Sequence, residues 1–201
     1  MNLEYLFNNI KSGDLISFHY KSWHYIAGVF IGKVTGKTGN DLKLPGMGHC
    51  GIVLNVSKKD DIIFFNFCEF LTSQKLVRTY SIVKKNNRYI IDSRFDKKKV
   101  DIYFTQIKKE LSKEQEVKAF NWWKLDGKYN YIDAMTSPDW AERILGFFGI
   151  KSKANKNSNF CSGGVNLSLK KAGLKMKNEK PTPVELINDP VFDKTTKIFL
   201  K

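Results

Sequence analysis

The stretch HCGIVLNVSKKDDIIFFNFCEF, residues 49–70, holds two apolar segments around a charged break. HCGIVLNV (49–56) and DIIFFNFCEF (61–70) are rich in β-branched and aromatic residues, and SKKDD (57–61) separates them. In the second segment Phe65, Phe67 and Glu69 fall on one face, and Phe64, Asn66 and Cys68 on the other. Both segments read as strands. If they pair as neighbours in one sheet, the carboxylate that ends the second comes within reach of the imidazole that opens the first.

Working outward, GDLISFHY (13–20), LVRTYSIV (76–83) and VDIYFTQI (100–107) supply further β-rich segments, punctuated by TSQK (72–75) and FDKKK (95–99). The glycine-dotted segment from Gly28 to Gly48 reads as a long, irregular connection, and long connections in compact domains are usually functional or disordered. From Ser112 the texture changes. SKEQEVKAFNWWKLDG (112–127) has a serine N-cap, glutamates in its first turns and apolar residues three and four apart, so it predicts a helix ending near Gly127. A second helix is expected over DWAERILGFFG (139–149) and a third from Cys161 to Gly173. TTKIFLK (195–201) can return as a strand. No internal repeat is found. The expectation is an α+β fold with an antiparallel, sheet-rich front and a helix-rich back, in one domain over residues 1–201.

Composition bounds the function. The chain has 201 residues, 42% of them hydrophobic and 13% aromatic, enough for one sizeable core. The N-terminal MNLEYLFNNIKSGD does not read as a secretory signal, and runs such as YIAGVFIG fall short of the roughly 20 residues that span a bilayer. A soluble protein made inside a cell is expected, cytoplasmic or virion-associated. Cys50, Cys68 and Cys161 form an odd set without framework spacing, so free thiols are expected instead of a disulfide scaffold. The formal charge of +14 favours anionic partners: an anionic membrane or cell-wall surface, or, as a weaker fit, nucleic acid. Its lysines are scattered, as a solvated surface would also require.

Four groups of residues carry candidate chemistry. GKVTGKT (32–38) resembles a phosphate-binding loop but has one residue too few between Gly32 and Gly36, so its amides cannot wrap a phosphate in the usual way. His49, Cys50 and Cys68 are potential metal ligands, yet no C-x-x-C or H-x-x-x-H pair occurs, and His49 and Cys50 point to opposite faces of a strand. No metal and no cofactor is expected. His19 and His24, near Trp23, read as packed or surface residues that can also line a cleft. Cys161, in NSNFCSGGVNLSLKKAG (157–173), opens a helix, where unsatisfied amides and the macrodipole favour a thiolate. Val165, Leu169 and Ala172 share a face of that helix and would pack it on the core. Gly163 and Gly164 disfavour helix unless something must approach closely. Taken alone, Cys161 reads better as a buried thiol than as a nucleophile, since free cysteine is among the most buried residue types. His49 supplies a base with a pKa near 6.5, and Glu69 a carboxylate able to fix its tautomer.

Taken in order, GDLISF (13–18), GHCGIVL (48–54), FCEF (67–70), WKLDGKYNYIDA (123–134), NFCSGGVNLSLKKAG (159–173) and PTPVEL (181–186) resemble the circularly permuted papain-like amidases of the NlpC-like superfamily, in its YiiX-like branch. The resemblance runs from Gly13 to Leu186. It implies a permuted papain-like fold, a barrel-like antiparallel sheet packed against helices, with histidine ahead of cysteine in the chain. It implies Cys161 as nucleophile, His49 as general base and Glu69 as the residue orienting it. Tyr129 and Tyr131 resemble tyrosines that precede the nucleophilic helix. With Ser162 and Gly163, whose amides follow the nucleophile, they are the implied substrate-binding positions. After the cysteine the chain reads C-S-G-G, closer to unpermuted NlpC-like peptidases than to the C-S-E of many permuted members.

The implied activity is that of a cysteine hydrolase, an amidase or peptidase working through an acyl-enzyme on a cell-wall peptide or another amide. A lipid acyl hydrolase or acyltransferase of the same fold is an alternative, favoured by a cationic surface with aromatics near Trp23, Tyr25 and Phe30. A non-catalytic basic module docking on nucleic acid or an anionic surface is the alternative outside enzymes. The natural substrate, the oligomeric state and the choice between hydrolysis and transfer stay open.

Overall fold

The structure, a computed structural model, describes residues 2–20, 47–71, 74–92, 100–125, 161–179, 181, 183–193 and 195–198. Tyr129, Tyr131, His24, residues 28–46 of the connection expected from Gly28 to Gly48, and the helix expected over 139–149 lie outside them. In chain order the elements are α1 (Leu3–Asn9), β1 (Leu15–Tyr20), β2 (Met47–Lys59), β3 (Ile62–Leu71), β4 (Gln74–Lys85), β5 (Arg88–Ile91), β6 (Val100–Thr105), α2 (Lys113–Lys124), α3 (Cys161–Lys171), α4 (Pro183–Ile187) and β7 (Thr196–Ile198). The strands form one curled sheet of seven in the order β5-β4-β3-β2-β1-β6-β7, with every neighbouring pair antiparallel. The α+β expectation holds at this level. Among the described residues no helix is long and apolar enough to cross a membrane.

Strand alternation sorts the core into two layers. Leu15, Cys50, Ile52, Leu54, Cys68 and Phe70 point to the side covered by α2 and α3. Ile16, Phe18, Val53, Phe65 and Phe67 point to the other, where Leu3, Leu6 and Phe7 of α1 pack. The sheet is therefore buried on both faces over its middle strands, and the continuous apolar runs of β2 and β3 reflect that burial.

The elements absent from the sequence reading have local causes. Asn86 and Asn87, with φ of 50° and 58°, form the two-residue turn between Lys85 and Arg88, and this left-handed pair matches the twist of a hairpin. Asn2 caps α1 by accepting the Tyr5 amide, and Pro183 opens α4 with a φ already suited to the first helical turn. Helix α2 starts as expected, with Ser112 and Gln115 in a reciprocal capping box, and stops at Lys124, short of Gly127. Buried Glu116 ties it to the sheet by accepting from the Ser12 hydroxyl and, at 2.7 Å, from the Asn55 amide at the β2 bulge.

The turn before β1 is built on Gly13 and Asp14. Gly13 has φ of +103°, and a Cβ there would lie 2.9 Å from Ile107. Asp14 is fully buried and accepts from the amides of Ile107 (2.9 Å) and Lys11 (2.8 Å), joining the start of β1 to the chain leaving β6. Burial pushes its carboxyl up from 3.8 to about 7, against the pull of those two amides. Asp14→Ala orphans both donors and lowers unfolding stability by about 2–4 kcal/mol in urea denaturation. With the folded pKa raised, the protonated side chain is the favoured form. Its contribution is complete below 3.8 and is lost as pH rises through about 7. The gap between wild type and variant thus narrows from acid to neutral pH. A gap that widens would show a carboxyl held ionised.

Candidate active site

Sheet register assembles the first half of the site. Gly51 on β2 pairs with Glu69 on β3, so His49, two residues earlier, shares the face of Glu69. His49 Nε2 and Glu69 Oε2 are 2.7 Å apart. The β3–β4 register puts Phe67 opposite Arg78, and Arg78 Nη1 reaches the other carboxylate oxygen, Oε1, at 3.3 Å. Phe18, paired with His49 across β1 and β2, stacks on the imidazole with centroids 5.8 Å apart and an angle of 21°. The β1–β2 register shifts just past this pair, which ends the regular ladder at the histidine.

Gly51 is required by this packing. A Cβ there would fall 2.4 Å from the Phe67 ring and 2.7 Å from the Cys68 carbonyl, so only hydrogen lets β3 come close enough for Glu69 to reach His49.

Helix α3 brings the second half. Val165 and Leu169 are fully buried against the sheet, as their spacing predicts, and Gly173 at φ +87° ends the helix with Leu174 N donating to Leu169 O and Gly173 N to Lys170 O. Its polar side is buried too. Ser162 donates to the Pro181 carbonyl at 2.6 Å, and Asn166 Nδ2 donates to the carbonyls of Asn178 and Glu179, so the returning chain covers that face. Gly164 accommodates the Phe70 ring, which a Cβ would meet at 2.2 Å. These contacts set both the height and the rotation of the helix, and hence the position of Cys161 at its first residue.

The Cys161 sulfur lies against β2. It is hydrogen-bonded to the thiol and the backbone amide of Cys50 and to the imidazole of His49. Strand parity still sends His49 and Cys50 to opposite faces, yet one sulfur placed beside the strand end meets both. With Nε2 held by Glu69, Nδ1 is the ring nitrogen left for the sulfur. Cys161, His49 and Glu69 are 5%, 8% and 5% exposed, so their charges interact with little screening.

These contacts shift the ionisations in opposite directions. The Cys50 hydrogen bond lowers the Cys161 thiol well below its usual range; burial opposes this, and the His49 hydrogen bond and charge reinforce it. Burial disfavours the imidazolium of His49, but hydrogen bonds to Cys161 and Glu69 outweigh it and raise its pKa from 6.5 to about 9. The Cys50 thiol, as donor to Cys161 and fully buried, is pushed well up. Both shifts favour the thiolate–imidazolium form of the pair.

Of the positions expected to bind substrate, Ser162 is fully buried and its side chain donates to the Pro181 carbonyl, holding the segment that wraps α3. Gly163 lies in the buried first turn. The approach foreseen at the glycine pair is, at Gly164, that of the Phe70 ring. Sequence reasoning passed over Arg78, whose signal was an arginine inside a strand of a chain holding only four, and the role of Cys50, which it weighed only as a metal ligand. No family model matches the chain, and no curated protein matches it significantly.

The ionisation assignment is open to NMR. Titration of the His49 ring signals gives a midpoint near 9 in the wild type, and Glu69→Ala moves it down. A wild-type midpoint at 6.5 or below would contradict the assignment.

Proposed function

We propose that the protein is a cysteine-dependent amidase or peptidase of circularly permuted papain-like architecture, with Cys161, His49 and Glu69 as its triad. The observation that carries this reading is the continuous hydrogen-bonded line from the Cys161 sulfur through the two nitrogens of His49 to the Glu69 carboxylate. A thiol at a helix start, an imidazole and a carboxylate from paired strands each occur often. Their alignment in one buried line, with an arginine beyond, has a direct use in acyl transfer.

The Cys161 thiolate attacks the carbonyl carbon of an amide, forming a C–S bond, and the carbonyl oxygen becomes an oxyanion. The first amides of α3 have no partner within the helix and lie beside the sulfur, which suits them to receive that oxyanion. His49 passes its Nδ1 proton to the departing nitrogen as the C–N bond breaks, leaving a thioester. The neutral ring then takes a proton from water, hydroxide attacks the thioester, and the C–S bond breaks to restore thiolate and imidazolium. Glu69 accepts from Nε2–H throughout, holding the tautomer and stabilising the ring when charged. Arg78, on the outer carboxylate oxygen, is a positioning residue for Glu69.

p-Nitrophenyl acetate tests the nucleophile without knowledge of the natural substrate. Wild type gives a burst of p-nitrophenolate and an acetyl group on the peptide containing Cys161. Cys161→Ala abolishes both, and His49→Ala slows acylation by about a hundredfold or more. Acylation that survives Cys161→Ala would overturn the proposal.

A further inference from the structure

Cys50, which helps to hold Cys161 as a thiolate, is also placed for a second role that acyl transfer does not use. The nucleophile's sulfur has a second thiol as a direct hydrogen-bond partner, on the strand against which α3 packs. Cys50 and Cys161 belong to the same buried cluster, 0% and 5% exposed. Ser17 pairs directly with Cys50 across β1 and β2, and its buried hydroxyl has no hydrogen-bond partner among the described residues. A buried, unsatisfied hydroxyl opposite the Cys50 thiol is costly in the resting state, and it becomes useful when a polar oxygen forms nearby.

We propose that Cys50 is the resolving thiol of a peroxide-sensitive disulfide with Cys161, a reversible oxidation that shelters the nucleophile. The inference rests on the reading of Cys161 as the reactive thiolate. In the first step the thiolate attacks one oxygen of a hydroperoxide, an S–O bond forms, the O–O bond breaks, and the leaving alkoxide or hydroxide takes the imidazolium proton of His49. Cys161 is now a sulfenic acid, oxidised by two electrons, and the peroxide has been reduced to alcohol or water. In the second step the Cys50 sulfur attacks the Cys161 sulfur, an S–S bond forms, the S–O bond breaks, and hydroxide leaves with the Cys50 proton as water. A dithiol reductant reverses the state by exchange.

The contact that keeps Cys50 protonated in the resting enzyme is its donation to the Cys161 thiolate. Oxidation of Cys161 removes that negative charge, so the restraint on Cys50 weakens when its nucleophilicity is wanted. The Ser17 hydroxyl, opposite Cys50, is suited to donate to the sulfenic oxygen during the exchange. Cys68 shares the face of Cys50, but burial and the adjacent Glu69 charge hold its thiol protonated, and it serves as the control.

The test treats the full chain with one equivalent of hydrogen peroxide, with and without dimedone, and maps its peptides without reduction. The expected product is a Cys50–Cys161 linked peptide, with loss of p-nitrophenyl acetate acylation that dithiothreitol restores. Cys50→Ala yields about tenfold more dimedone adduct at Cys161 than wild type, and sulfinic acid on longer exposure. Cys68→Ala still forms the Cys50–Cys161 link, a result that does not depend on how the Cys50 variant folds. The inference is overturned if wild-type Cys161 is trapped by dimedone as fully as in Cys50→Ala with Cys50 left free, or if Cys161 pairs with Cys68. Acylation of Cys161 without peroxide oxidation defeats the disulfide and leaves the nucleophile standing. If Cys161 is neither acylated nor oxidised, both fail.

Discussion

The 2.7 Å hydrogen bond between His49 and Glu69 is the contact on which the site depends. A carboxylate buried this deeply is unfavourable without a partner, and two antiparallel strands can supply one only in the correct register. A slip of one residue between β2 and β3 would send Glu69 to the helix-covered face and leave it unpaired among apolar side chains. Gly51 protects that register, since any side chain there meets the Phe67 ring and the β3 backbone. The sheet core and the site therefore impose the same alignment. Phe67 and Val53 need it for packing, and His49 needs it for its partner.

The charges along this line alternate: Arg78 positive, Glu69 negative, His49 positive and Cys161 negative. Removing one member leaves an uncompensated charge in a region of low dielectric, so the effects of single substitutions in this line are not additive. Alternation also explains how two shifts of opposite sign coexist. The imidazolium survives burial because an anion lies on each side. The thiolate survives because the Cys50 amide and thiol join His49 in donating to it. Helix α3 holds the sulfur in place through contacts on every side, with the Phe70 ring, the β2 wall and the strap that includes Pro181.

Much of this could be read from residues alone. Alternation in DIIFFNFCEF placed Glu69 with Phe65 and Phe67, the start of β2 placed His49 at a sheet end, and the change of period at Cys161 located the helix. Those are local patterns, and local patterns are what a sequence displays directly. Pairings between distant positions are not displayed. Arg78 reaches Glu69 only through the β3–β4 register, and Cys50 reaches Cys161 only because a helix from the far end of the chain packs on β2. Gly164 drew attention as an anomaly, but its cause, an aromatic ring from β3, is tertiary. The hairpin at Asn86 and Asn87 had a local signal, two residues suited to positive φ between β-rich flanks. The short helices α1 and α4 had one as well, in an asparagine cap and a proline start.

The central claim is that Cys161 is a thiolate at neutral pH because His49 and Cys50 hold it so. The most direct measurement is the rate of Cys161 alkylation by iodoacetamide as a function of pH, read peptide by peptide against Cys50 and Cys68. The account predicts a midpoint for Cys161 well below the ordinary thiol value of about 8.5, fast labelling retained at neutral pH, and an upward shift in His49→Ala. A Cys161 midpoint at or above that ordinary value, with labelling no faster than at the two buried thiols, would contradict it.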